Sequence, residues 1–136
     1  MKVVLDSNTL LVAIGKRSRY RPIWEAFING KYNLILSEEI LHEYEEILLE
    51  HAATNAASVV VDIFLESPDI IFQHLYYYWN AIKQDADDNK FFDIAVAANA
   101  DYLVTDDAHF DEAKMLSFPY INIISSNQFL EIVQNL

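Results

Sequence analysis

Short apolar runs alternate with segments of helical periodicity along the chain. The runs are rich in Val, Ile, Leu and Tyr and predict five strands, at residues 3–6, 32–36, 69–72, 102–105 and 120–124. The periodic segments predict helices at residues 9–14, 22–29, 38–50, 55–65, 89–100 and 127–133. This alternation predicts a three-layer α/β/α fold, in which helices cover both faces of a mainly parallel, twisted sheet of four to five strands.

Capping residues stand at the starts of two of these helices. Ser37 is expected to cap the helix over residues 38–50, which carries two acids in its first turn, where carboxylates favour the helix dipole. Asp87 and Asp88 both suit the start of the helix over residues 89–100. We assign the cap to Asp87 and leave Asp88 open between a cap and a metal ligand.

Length and composition indicate one domain over residues 1–136. The chain is 53% hydrophobic and has only 2 Gly and 3 Pro, which is typical of an ordered globular protein. No apolar run approaches the roughly 18 residues of a membrane span, so no membrane association is expected. The absence of Cys excludes disulfides, thiolate zinc sites and cysteine nucleophiles, and it is compatible with a cytoplasmic location.

Two familiar classes of site do not match the sequence. With only 2 glycines, the chain has neither a phosphate-binding P-loop nor a dinucleotide fingerprint. The 4 His residues are scattered without the spacing of a zinc site. The remaining chemistry lies in the acidic residues.

Acidic residues follow two of the predicted strands. Asp6 ends the first strand, and a carboxylate next to buried apolar residues is costly to desolvate unless it is paired or bound to a metal. The alternative is a helix cap for the segment that begins at Thr9. Asn8 is a candidate to orient a water or a phosphate, and one of Asp106 and Asp107 is expected to face the ligand crevice at the carboxyl end of the sheet.

Two further acids lie within predicted helices. Asp93 occupies a helix that is apolar nearly all round, so its carboxylate needs compensation, which a metal ion supplies. Asp88, five residues earlier, lies on a different face and reaches such an ion only from the helix end. Glu43 borders the apolar stripe of its helix, and spacing alone favours a solvated flank.

The net charge of −12 is unusual for a protein that binds nucleic acid. The cations are clustered, however, because 4 of the 9 Lys and Arg residues follow the first predicted helix. They are Lys16, Arg17, Arg19 and Arg21. This basic loop is a candidate RNA-binding surface, and the alternative is an ordinary solvated turn.

Four segments, taken in order, resemble the motifs of the PIN domain family, and the resemblance extends over residues 2–124. The matching segments are residues 4–10 (VLDSNTL), 37–44 (SEEILHEY), 87–98 (DDNKFFDIAVAA) and 103–107 (LVTDD). The resemblance assigns the family acids to Asp6, Glu43, Asp93 and Asp107. It adds Asp88 as a further acid and metal ligand of this subgroup. Asn8, Thr105 and Asp106 are expected to support the site, although the family commonly has Gly or another small residue where Asp106 stands.

The resemblance implies a metal-dependent ribonuclease that hydrolyses RNA phosphodiester bonds, similar to toxins of the VapC type in toxin–antitoxin pairs. The acids would hold one or two Mg²⁺ or Mn²⁺ ions, since hard oxygen ligands suit these metals. The choice between Asp88 and Asp93, and between Asp106 and Asp107, as the direct ligand stays open. A small antitoxin that blocks the acidic pocket and a homodimer are implied as well.

Two alternative functions come from different classes. The Asp6-to-Thr9 segment partly imitates the Asp-x-Asp-x-Thr opening of haloacid-dehalogenase-like phosphatases, in which the first Asp is a covalent nucleophile. That interpretation needs an acid where Asn8 stands, and it leaves Glu43 and Asp93 without roles. The other alternative is a non-catalytic PIN-like module that binds RNA or protein, which a Mn²⁺ titration distinguishes from a nuclease.

Overall fold

The computed structural model describes residues 1–136, and its centre is a sheet of five parallel strands. The strands are β1 (Lys2–Leu5), β2 (Asn33–Leu36), β3 (Ile70–Phe72), β4 (Tyr102–Val104) and β5 (Ile123–Ile124). All five predicted strands are present. The last is shorter than predicted, because only Ile123 and Ile124 pair with β4.

Seven α-helices flank the sheet. They are α1 (Ser7–Ile14), α2 (Arg21–Ile28), α3 (Glu38–His51), α4 (Ala56–Glu66), α5 (Asn89–Ala97), α6 (Asp111–Lys114) and α7 (Ser126–Gln134). Helix α5 packs against β1, β2 and β4, and α2 packs against α7. The predicted three-layer α/β fold with a parallel sheet is confirmed. No helix combines the length and the apolar character that crossing a membrane requires.

The strand order determines where a ligand crevice forms. The order is β3-β2-β1-β4-β5, so the chain first builds the sheet outward from β1 to β3 and then adds β4 on the other side of β1. In open parallel sheets, the point where the direction of building reverses leaves a crevice at the carboxyl ends of the two central strands. Here that point lies between β1 and β4, and the residues that follow these strands are Asp6 and Thr105.

The central strands are buried on both faces, as expected for a parallel sheet between two helical layers. Val3, Val4 and Leu5 are buried in succession, as are Leu103 and Val104 in the neighbouring strand. The buried apolar side chains of the chain form one cluster. That residues 1–136 make up a single domain stays a prediction.

The start of α5 differs from the prediction. A turn of 3₁₀-helix at Ala86–Asp88 precedes it, and the carboxylate of Asp85 accepts a hydrogen bond from the backbone N–H of Asp87 at 3.0 Å. The prediction that Asp87 caps this helix is therefore wrong, and the Asp88 side chain makes no capping hydrogen bond either. Both side chains are thereby left available for other contacts.

Helix α5 also ends three residues before the predicted end at residue 100. Asn99 has a backbone φ of 53°, and a residue in the left-handed region ends a helix. A 3₁₀ turn at Ala108–Phe110 and the short α6 lie beyond β4 and were not predicted. The 3₁₀ turn places His109 next to the acids that follow β4.

Candidate functional site

Asp6 lies at the junction of β1 and α1, where its carboxylate makes two hydrogen bonds. Oδ1 accepts from the backbone N–H of Thr9 at 2.8 Å, so Asp6 caps α1 as one interpretation of the sequence predicted. Oδ2 accepts from the hydroxyl of Thr105. The side chain is 6% exposed, and burial raises the pKa of Asp6 above its usual value of 3.8 although both hydrogen bonds act in the opposite direction.

Thr105 connects the carboxyl ends of β1 and β4. Its hydroxyl donates to Asp6 and accepts from the backbone N–H of Asp107 at 3.0 Å. The strands are also joined here by the backbone N–H of Asp6, which donates to the carbonyl of Val104 at 3.1 Å. Thr105 is buried, so this connection holds Asp6 and the backbone of Asp107 in a fixed relation.

A recess of about 250 Å³ opens at this junction. Seven residues line it, and three of them are acids. They are Asp6, Asn8, Thr9, Val12, Tyr20, Asp106 and Asp107. Asn8 is exposed at its rim. The structure thus brings together Asp6, Asn8, Asp106 and Asp107, all of which the sequence selected.

Asp106 and Asp107 have different surroundings. The carboxylate of Asp106 accepts from the backbone N–H of Ser126 at 2.9 Å and from the hydroxyl of the same residue, so it ties the end of β4 to the start of α7. The carboxylate of Asp107 accepts from the backbone N–H of His109 at 2.9 Å. Both acids therefore have a backbone partner. Asp106 also faces Asp6, whose pKa its charge raises, and Asp107 faces His109 and Asp88.

Asp107 also adjoins a second group of acids, which is centred on His109. The Nδ1 atom of His109 lies 3.3 Å from a carboxylate oxygen of Asp88, 3.3 Å from one of Asp107 and 3.8 Å from one of Asp85. One ligand atom from each of Asp85, Asp88 and His109 lies within 4.8 Å of the other two, a spacing compatible with a metal ion.

The acids around Asp88 repel its negative charge. Burial, together with the charges of Asp85 and Asp107, raises the pKa of Asp88 from 3.8 to about 6, while the contact with His109 acts in the opposite direction. A group that titrates near neutrality beside other carboxylates is characteristic of functional sites. A divalent cation would relieve this repulsion, so the donor set fits such an ion.

Glu43 is engaged by an ion pair with Lys90. Its Oε1 lies 2.6 Å from the ammonium nitrogen of Lys90, and its Oε2 accepts from the hydroxyl of Ser7. Lys90 is 8% exposed and also donates to the carbonyl of Asp87 at 2.7 Å. Both carboxylate oxygens of Glu43 therefore already have partners within the chain.

The structure does not bring Asp93 to the recess of Asp6. Asp93 is 2% exposed, as its apolar helix predicted, and its Oδ1 accepts from the backbone N–H of Trp79 at 3.1 Å. It lines a separate recess together with Glu39, and burial followed by the Glu39 charge raises its pKa. Neither Asp6, Glu43 and Asp93 nor Asp6, Asp88 and Asp107 bring three ligand atoms within 4.8 Å of one another, whereas Asp85, Asp88 and His109 do. One oxygen of the buried carboxylate therefore has a backbone N–H as its partner.

Three of the four basic residues that follow α1 project into solvent. Lys16, Arg17 and Arg19 are exposed, and the guanidinium of Arg19 lies 5.5 Å from the ring centre of Tyr20, which lines the recess. Arg21 differs, because its Nη1 donates to the carbonyl of Ile14 and it is half-buried. Its contact holds the end of α1 against the start of α2.

A known protein family matches most of the chain. The sequence profile described as PIN domain matches residues 2–109. The chain belongs to the PIN domain family. PIN domains are typically nucleases, which are hydrolases. The match includes every segment that contributes an acid to the recess and to the group around His109.

The PIN fold is also seen in a solved structure. A chain of the crystal structure of VapBC2 from Rickettsia felis, bound to a DNA fragment from their promoter, superimposes with a TM-score of 0.62 and 22% sequence identity. The match covers 92% of this chain and 98% of that chain. At this identity the likeness shows the fold. No curated protein sequence matches the chain.

Four residues that contact the candidate acids of this PIN domain were not predicted from the sequence. They are Ser7, Asp85, Lys90 and His109. Lys90 carried a signal, because a lysine within an otherwise apolar helix needs an acidic partner. His109 has no zinc-type spacing to another histidine, but spacing along the chain does not limit a site assembled from separate loops.

Proposed function

We propose that this PIN domain is a divalent-metal-dependent ribonuclease. The observation that carries the proposal is the position of Asp6 and Asp107, which follow adjacent parallel strands and line one recess. Asp88 adjoins Asp107 through their shared neighbour His109. Asp6 and Asp107 thus line the recess, and Asp88 lies beside it, at the end of the sheet where ligand crevices of parallel sheets lie.

Asp6, Asp88 and Asp107 are the proposed metal ligands. Carboxylate oxygens suit Mg²⁺ and Mn²⁺, and His109 adds a nitrogen ligand that Mn²⁺ accepts more readily than Mg²⁺. Asp106 supports the site by tying β4 to α7. Asp93 is proposed to act in packing, because it is buried in a recess separate from that of Asp6 and accepts a hydrogen bond from the backbone of Trp79.

The residues of the site hold the reacting groups in place. When bound, a divalent cation lowers the pKa of water and offsets the negative charge that builds on the phosphate. Thr105 and the backbone of Thr9 fix the Asp6 carboxylate, so its oxygens need no reorganisation. Asn8, at the rim, is placed to donate a hydrogen bond to a phosphate oxygen. Lys16, Arg17 and Arg19 offer positive charge to the flanking phosphates.

RNA as the substrate and a small antitoxin as the partner are parts of the same proposal. The solved structure with the same fold is described as VapBC2 bound to promoter DNA, which supports a toxin–antitoxin role for this chain. An antitoxin that covers the recess would keep the RNA away from the acids. We propose as well that the chain forms a homodimer.

Of the alternative functions, the family match gives no support to the phosphatase. The non-catalytic module differs from the nuclease in one measurable respect, since it predicts no saturable Mn²⁺ site. Calorimetric titration of the wild-type chain with Mn²⁺ therefore separates the two interpretations before any RNA is added.

The experiment that tests the nuclease is cleavage of a labelled RNA with Mn²⁺ or Mg²⁺. The wild-type chain cleaves, EDTA stops the reaction, and Asp6→Asn lowers the rate at least about 100-fold while the circular dichroism spectrum is retained. Asp62→Asn is the matched control, because Asp62 is exposed on α4. Equal rates for wild type and Asp6→Asn would refute the proposal.

A further inference from the structure

Lys90 is a buried cation at the start of α5, where it lines the recess that also contains Asp93. It follows Asp88 by two residues, and its ammonium is 2.6 Å from Glu43 and 2.7 Å from the carbonyl oxygen of Asp87. A buried ammonium is costly unless it is paired, so the contact with Glu43 determines where this charge lies. The ring of Phe91 lies beneath it, with the ammonium 5.4 Å from the ring centre.

Glu43 is held on both sides by this arrangement. Lys90 engages Oε1, and the hydroxyl of Ser7 engages Oε2. Ser7 directly follows Asp6 in the chain. The Lys90–Glu43 pair therefore lies between the segment that carries Asp6 and the segment that carries Asp88. An ion bound by Glu43 together with Asp6 or Asp88 would lie in the same place.

An ion at that position would meet the ammonium. A Mg²⁺ or Mn²⁺ ion lies about 2.1 Å from its oxygen ligands, so an ion on Glu43 Oε1 would be within about 5 Å of the Lys90 nitrogen. Two positive charges at this distance repel strongly in a partly buried site. The carboxylate of Glu43 carries one negative charge, and the ammonium of Lys90 neutralises it.

We propose that Lys90 supplies the positive charge that a second divalent cation supplies in two-metal nucleases, so that this chain binds one divalent ion. The inference rests on the proposed function, since it concerns the same acidic edge. It assigns Glu43 to the ammonium instead of the metal. Asp6, Asp88 and Asp107 then hold the single ion, and Lys90 is a positioning residue for the carboxylates and the phosphate next to them.

The experiment measures Mn²⁺ binding by calorimetry, with stoichiometry checked by the electron paramagnetic resonance signal of free Mn²⁺. We expect one ion per chain for the wild type and for Lys90→Arg, which keeps the charge. We expect two ions for Lys90→Met, because Glu43 then becomes an available ligand. The double variant Lys90→Met/Glu43→Gln returns the stoichiometry to one.

A second variant keeps the test decisive if Lys90→Met does not fold. Glu43→Gln is expected to retain one Mn²⁺ with an affinity within about threefold of the wild type, because Glu43 is not a ligand of that ion. Loss of Mn²⁺ binding in Glu43→Gln would overturn the inference, as would an unchanged stoichiometry in a folded Lys90→Met. Two ions in the wild type would overturn it and leave the nuclease proposal standing, whereas no ion in the wild type would overturn both.

Discussion

The hydroxyl of Thr105 donates a hydrogen bond to the buried carboxylate of Asp6, and this contact joins the ends of β4 and β1. The same hydroxyl accepts from the backbone of Asp107, so one side chain links two proposed metal ligands. The acids of this PIN domain are therefore held by the fold at the point where the strand order reverses. Their geometry follows from the sheet and does not depend on surface loops alone.

The first prediction concerns this link. Thr105→Val removes the hydroxyl from a buried position and leaves Asp6 without one of its donors, so we expect a loss of about 1–2 kcal/mol in the free energy of unfolding. Because outer-shell partners orient metal ligands, the Kd for Mn²⁺ should rise about 10- to 100-fold. Denaturant unfolding and calorimetry measure the two effects. Thr54→Val, at an exposed loop position, is the control, and a wild-type Kd in Thr105→Val would show that Thr105 does not position Asp6.

The second prediction separates Asp88 from Asp93. Asp88→Asn removes a carboxylate from the group around His109 and should weaken Mn²⁺ binding at least about tenfold. Asp93→Asn keeps an oxygen that accepts from the backbone of Trp79, so its Mn²⁺ affinity should stay within about threefold of the wild type. The variants change the same functional group within one helix region and serve as controls for each other. The reverse order of affinities would identify Asp93 as the ligand.

The third prediction is a pH dependence caused by Asp88, whose pKa is raised to about 6. Between about pH 4 and 6 the metal-free folded chain binds more protons than the unfolded chain, so this group lowers stability as the pH rises through 6. In EDTA, the wild-type Tm should therefore rise as the pH falls from 7 to 5, relative to Asp88→Asn. Parallel Tm curves for the two proteins would contradict this assignment.

The same pKa determines how the metal and protons compete. An ion that binds the Asp88 carboxylate displaces its proton, so Mn²⁺ affinity should fall as the pH drops below about 6. Calorimetry at pH 6 in buffers of different ionisation enthalpy should show release of about half a proton per ion. Asp88→Asn provides the control, since it has no proton to release at this position.

The fourth prediction concerns RNA binding by the basic loop. The double variant Arg17→Ala/Arg19→Ala should weaken binding of a single-stranded RNA and reduce the slope of log K against log salt by about 1.4, because each phosphate contact contributes about 0.7. Lys31 precedes β2 at the opposite edge of the sheet and is exposed, so Lys31→Ala should leave the slope unchanged. Filter binding at several salt concentrations measures it. Equal slopes for the wild type and both variants would show that the basic loop does not contact RNA phosphates and is an ordinary solvated turn.

The strand ends were predictable because local sequence determines them. Asp6 and the segment Thr105 to Asp107 directly follow buried apolar runs, and parallel strands bring such positions to one edge. The sequence could not place the contacts that depend on distant segments. Lys90 pairs with Glu43 across 47 positions of the chain, and His109 meets Asp88 across 21.

Asp93 shows that a sequence pattern can predict the burial of a side chain without predicting its partner. Its burial was predicted correctly from the apolar helix, and the need for compensation was correct as well. The partner is a backbone N–H at Trp79, in a stretch without regular structure that no periodicity describes. A buried carboxylate in a sequence therefore indicates that some partner exists, whereas the kind of partner depends on the tertiary structure.

The most direct test of the account is a crystal of the chain soaked in MnCl₂, with the ion located by anomalous scattering. We predict one Mn²⁺ with oxygen atoms of Asp6, Asp88 and Asp107 and a ring nitrogen of His109 about 2.1–2.2 Å away, and with Glu43 still paired to Lys90. An ion bound between Glu39 and Asp93, or no ion at the carboxyl ends of β1 and β4, would contradict it.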